Sequence, residues 1–194
     1  MTNFNLKNWR FAAISGLFVA FVSQSAVAQS DTVEVRATLR QAVTVTTQTD
    51  VSFGDVDVNL SGTGTLELRP DSTFAASGTD ITSAGSGTVS AGVVNISGSN
   101  GVNIDVSCTS ATVANSAGQT IAVPTSIAEG ASATGTTCGG LGSTAITVSL
   151  TTGATAINMG ATLNIANMSG VTSTGAFSTT NSGGSASTLQ AVYQ

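Results

Sequence analysis

Val102-Asn-Ile104-Asp-Val106-Ser-Cys108 carries an apolar side chain on every even position and a polar one on every odd position. A period of two is the signature of a strand with one face buried and one face wet. Upstream, Val93–Ile96 forms a second β-rich run, and Ser99-Asn-Gly101 between the two has the composition of a hairpin turn. Further upstream, Val33, Val35, Ala37 and Leu39 alternate with Thr32, Glu34, Arg36 and Thr38, and Val43 and Val45 keep the same parity. Short runs at Val51–Phe53, Val56–Leu60 and Leu66–Leu68 follow, the last ending at a Pro70-Asp71 turn. Downstream, strands are expected at Ile121–Val123, Ile146–Leu150, Ala161–Ile165 and Leu189–Tyr193. Residues 74–90, mostly Ser, Thr, Gly and Ala, read as loop or weak strand, and 124–143 as a loop. No stretch after the leader repeats apolar residues at helical spacing. Eight or nine short strands with frequent turn signals predict an all-β antiparallel sandwich or barrel.

The start of the chain reads differently. Lys7 and Arg10 precede an apolar run from Phe11 to Val22, and Ala26-Val-Ala28 supplies the small residues of a cleavage site. The run is shorter than the roughly 20 apolar residues of a spanning helix. Residues 1–28 are therefore expected to be an export signal, and 29–194 a single β-sandwich domain. Removing the signal takes away Lys7, Arg10 and Trp9. Arg36, Arg40 and Arg69 then stand against ten acidic residues, a formal net charge of −7 with no lysine. Nucleic acid and anionic lipid both need a cationic patch, so neither is expected as a partner. Only 8% of the residues are charged, but 41% are apolar, which argues for a packed core over a disordered stalk.

The chain contains two cysteines and no histidine. Cys108 is in phase with the core-facing side chains of its strand, and Cys138 lies in the pliable Thr-Gly-Thr-Thr-Cys-Gly-Gly segment. In an oxidising compartment the pair is expected to form one disulfide, contributing about 3.5 kcal/mol in the chain-entropy model. Two distant thiols without histidine make a poor metal site. The same lack of histidine rules out Ser-His-Asp and Cys-His catalysis, and the missing lysine rules out a Ser-Lys dyad. Asp55 and Asp57 share one face of a short strand, which reads as a solvated face, with calcium binding as the alternative. Asn59-Leu-Ser61, Asn95-Ile-Ser97 and Asn167-Met-Ser169 match the glycosylation triplet, which matters only in a eukaryotic host. No catalytic residue and no cofactor is expected, and the chain is not expected to be an enzyme.

Several segments in order resemble a known family. Val33-Glu-Val-Arg-Ala-Thr-Leu-Arg-Gln-Ala-Val-Thr-Val45 followed by Val51-Ser-Phe-Gly-Asp55 resembles the opening of the bacterial secreted family "domain of unknown function 4402". Gly64-Thr-Leu-Glu-Leu-Arg-Pro-Asp-Ser-Thr73, the stretch Ser90 to Ser107, and Ala161-Thr-Leu-Asn-Ile165 are similar to its later strands. The chain departs from the family at its end, where Thr180–Ser187 is inserted between Gly175-Ala-Phe177 and the last strand. The resemblance implies an immunoglobulin-like sandwich exported to the periplasm, surface or exterior of a Gram-negative-type bacterium. A weaker resemblance links the Val192-Tyr193-Gln194 ending to the penultimate tyrosine of fimbrial, pilin-like subunits. In such assemblies a neighbour's N-terminal extension completes the sheet by strand addition. That likeness makes Val33, Val35, Ala37 and Leu39 candidate donor-strand contacts and Leu189, Ala191 and Tyr193 a candidate C-terminal assembly strand. It implies a non-enzymatic fimbrial or surface-coat subunit that polymerises with copies of itself or with other surface subunits. The alternative is a stand-alone secreted adhesin or carbohydrate-binding module using loops 74–90 and 124–143.

Overall fold

The computed structural model describes residue 34, residues 36–172 and residues 175–194, and within it Leu39–Gln194 form one compact unit. The expected export signal at residues 1–28, together with Val33 and Val35, lies outside the described residues. Sixteen strands follow in order: β1 (Thr44–Thr49), β2 (Ser52–Phe53), β3 (Val56–Val58), β4 (Thr65–Leu68), β5 (Phe74–Ser77), β6 (Ile81–Ser83), β7 (Val89–Ser90), β8 (Gly92–Ser97), β9 (Asn103–Cys108), β10 (Ala111–Ala114), β11 (Thr120–Val123), β12 (Thr125–Glu129), β13 (Thr136–Thr137), β14 (Ile146–Ser149), β15 (Ala154–Asn164) and β16 (Leu189–Tyr193). A single 3-10 turn, Ile165–Met168, is the one helical element among the described residues.

Two antiparallel sheets make the sandwich. The larger runs β1-β8-β15-β12-β13, with β4 also on β15 and β5 on β4; the smaller runs β14-β9-β16. Strand β15 organises the larger sheet. Its Ala154–Met159 half pairs with β8, its Ala161–Asn164 half pairs with β4 along the same edge, and β12 takes the opposite edge. Odd residues of β15 point inward, so Ile157 and Met159 join one core and Ala161 and Leu163 a second. The first core lies between the sheets, where Ile96, Ile127 and Ile157 meet Ile104, Val106, Val148 and Leu150, most of them fully buried. The second lies under the β2–β7 and β3–β6 ribbons and the β10–β11 hairpin, around Leu66, Ile81, Ile121 and Leu163.

Alternation in β9 is realised as expected: Ile104, Val106 and Cys108 are wholly buried. Cys108 is bonded to Cys138, with Cα atoms 4.9 Å apart. Cys138 directly follows β13 at the edge of the larger sheet, so the disulfide ties the two sheets together.

Several expectations are corrected. Ser99–Gly101 is not a hairpin turn, because β8 and β9 belong to different sheets. The turn instead arches over the sandwich end, held by Gly98 N–H to Gly153 C=O and Gly101 N–H to Leu150 C=O, each at most 2.9 Å. Crossing between sheets lets Ile96 and Ile104 face each other through the core. Residues 74–90, expected as loop or weak strand, hold the short strands β5, β6 and β7, whereas the expected 124–143 loop holds β12 and β13. The Ala161–Ile165 strand begins seven residues earlier, at Ala154. In the 33–39 stretch, the described residues 34 and 36–39 form no strand, and regular pairing starts only at Thr44.

Candidate functional site

The last strand meets the first near one side of the sandwich. In β16, Leu189, Ala191 and Tyr193 turn half-buried toward the core, while Gln190 and Val192 face outward. Pairing with β9 runs from Leu189 opposite Cys108 to Tyr193 opposite Ile104. The segment before this strand is also fixed: Ser178, ahead of the insert, bridges Ala114, and Ser185 within it bridges Thr112. Thr109 N–H donates to Thr188 C=O and Gln194 N–H to Asn103 C=O, which assigns the even residues of β16 to the ladder with β9. By the alternation of antiparallel hydrogen bonding, the N–H and C=O groups of Leu189, Ala191 and Tyr193 point the other way. No strand lies beside that edge among the described residues.

Tyr193 closes the upper end of this edge. Its hydroxyl accepts from Ser99 N–H and donates to Gln41 C=O, both at 2.6 Å, and Gln41 N–H donates to Ser99 Oγ. The Arg40 guanidinium stands 5.3 Å from the ring centroid and also donates to Gln194 C=O. The contact requires Gly98, since a Cβ there would run into the tyrosine hydroxyl. This clasp fixes residues 40–43 against the end of β16. Leu39, just before it, is 95% exposed, and Ala37 is exposed as well.

Strand β1, which contacts β16, is the other edge on this side. Val45 stands opposite fully buried Ile96, and Thr47 opposite buried Val94, so both lie on the core side of the sheet. Even so, all six residues of β1 are exposed, and Val45 retains 41% exposure. An inward-facing valine so accessible means that the smaller sheet stops short of covering β1.

The acidic residues do not converge. Asp55 accepts from Ser86 Oγ at 2.7 Å, Asp57 lies exposed on β3, and Val56 and Val58 pack on the second core behind them. No group of three acidic, cysteine or histidine residues able to hold a metal occurs among the described residues. A shallow hollow on the outer face of the larger sheet is lined by Thr46, Gln48, Asn95, Ala154 and Ala156, all uncharged. No helix among the described residues is long and apolar enough to cross a membrane. Comparisons with protein-family models, with curated proteins and with solved structures return no match.

Proposed function

We propose that the chain is an exported, non-enzymatic structural subunit of a bacterial surface filament or coat, assembled by strand pairing. The observation that carries this reading is the unfilled side of the sandwich. The edge backbone of Leu189, Ala191 and Tyr193 has no strand beside it among the described residues, and core-side Val45 and Thr47 are uncovered. One further strand beside β16 would satisfy the first and cover the second. The chain has a segment of suitable pattern, Val33, Val35, Ala37 and Leu39, whose described members are exposed and outside any strand. Donated to a neighbouring copy, its apolar side chains would enter the gap while Glu34 and Arg36 stayed in water. Strand addition of this kind takes affinity from backbone hydrogen bonds and specificity from alternate side chains. The disulfide supports residence in an oxidising compartment.

The reading is tested by extending the full chain beyond Gln194 with a flexible linker and a second copy of residues 31–45. The extended protein is expected to melt several degrees higher than one carrying a scrambled copy. Equal melting temperatures, with a reversible monomeric transition in both, would sink the proposal.

A further inference from the structure

The edge of β1 offers a second contact, separate from the gap beside β16 and independent of strand donation. Gly98 N–H donates to Gly153 C=O, and Gly130 N–H to Ala156 C=O. Following the alternation across β15 and β8 puts the backbone groups of Thr44 and Thr46 on β8 and those of Val43, Val45 and Thr47 on the outer edge. Unpaired edges are a template for another strand, and proteins usually guard them with charge, lysine or proline. None of these occurs from Gln41 to Thr49, and the one irregularity is a bulge between Thr47 and Thr49. Charges return at both ends of this neutral stretch with opposite sign. Arg40 lies five residues before Val45, and Asp50 lies five residues after it.

We propose that β1 pairs antiparallel with β1 of a second copy about a two-fold axis at Val45, joining the two larger sheets into one. A two-fold axis requires antiparallel strands and a self-complementary edge. In this register Val45 meets Val45 of the second copy as a hydrogen-bonded pair, and Val43 meets Thr47 of the second copy. Each Arg40 is carried toward Asp50 of the second copy. The register centred on Val45 brings both unlike pairs together and sets no like charges opposite each other. The guanidinium keeps its place over Tyr193 while its outer nitrogens reach the incoming carboxylate. Because the side chains of Val45 stay in the gap and only its backbone enters the new ladder, a donated strand beside β16 is compatible with this contact. In a filament, the pairing would join subunits laterally.

The test is oxidative cross-linking of the full chain, whose two cysteines are already bonded to each other. Facing residues in a hydrogen-bonded antiparallel pair have Cα atoms about 5.5 Å apart, within disulfide reach. The Val45→Cys variant is therefore expected to give a covalent dimer on a non-reducing gel. Thr47→Cys is its register control. Its two copies would be separated by four residues along the paired strands, roughly 13 Å, and would not cross-link. In sedimentation of the unmodified chain a dimer is expected, and Asp50→Arg, which sets arginines against each other, should shift it to monomer without changing its far-UV spectrum. A Val45→Cys protein that stays monomeric after oxidation, a Thr47→Cys protein that cross-links equally well, or a dimer indifferent to Asp50→Arg would overturn the proposal.

Discussion

Replacing Tyr193 by Phe removes one oxygen that accepts from Ser99 N–H and donates to Gln41 C=O. The ring stays in place, so the change isolates the clasp. A loss of about 1–2 kcal/mol in denaturant unfolding is expected from two such bonds. Faster amide exchange at Ser99 should accompany it. Asp71 provides a second test at this scale. The Thr73 hydroxyl and then the Thr73 N–H donate to its Oδ1, at 2.6 and 3.0 Å, and hold its carboxyl below the ordinary carboxylate range. A carboxyl depressed in the folded state stabilises the protein above its unfolded pKa and loses that contribution as pH falls through the folded value. Asp71→Asn, which keeps an acceptor oxygen but does not titrate, should reduce the acid-side decline in the urea midpoint; an unchanged decline would exclude this role. The penultimate tyrosine stood out in the sequence. Its bonds to Ser99 and Gln41 did not, because they join residues 94 and 152 positions apart through a backbone path that no local pattern encodes.

Among the elements, legibility followed exposure. Strand β9 is readable because polar Asn103, Asp105 and Ser107 alternate with buried Ile104, Val106 and Cys108, even though Ser107 is itself buried, and β16 alternates half-buried and exposed residues. The first half of β15 is not. Ala154–Met159 pairs with β8 and Ile157–Ala161 with β12, and from Ile157 onward residues on both faces are buried or half-buried, so the alternation is blurred by Asn158 and Gly160. Strand β12, Thr-Ser-Ile-Ala-Glu, reads as loop in the sequence because its small residues resemble turn composition. Gly160 has a steric reason for being glycine: a Cβ there would strike Leu68 C=O and press on Pro70, where β4 meets β15. Gly160→Ala should therefore destabilise by about 1–3 kcal/mol, as other overpacked sites do, with chemical denaturation as the check. The disulfide joins the two sheets, and replacing Cys108 and Cys138 together by Ala should lower the unfolding free energy by about 3.5 kcal/mol. A loss far below that would mean that the sheets hold each other without it.

For the whole molecule, the all-β antiparallel class is evident from short alternating strands and abundant turn residues, which leave sandwich and barrel open. The assignment of strands to sheets is not evident, since Ser99–Gly101 has the composition of a hairpin and the path of an arch. The gap beside β16 was also invisible in the sequence. It arises from a mismatch between two sheets: β1 extends past the cover that β14-β9-β16 provides, leaving Val45 accessible on its core side. If this gap receives a strand, its lining amides report the event directly. Hydrogen exchange at Leu189, Ala191 and Tyr193 should be measured on the full chain with and without a peptide of residues 31–45. Strand addition predicts marked slowing at all three amides when the peptide is present, with Gln190 and Val192, already paired to β9, little changed. Exchange at Leu189, Ala191 and Tyr193 that is equally fast with and without the peptide would contradict it.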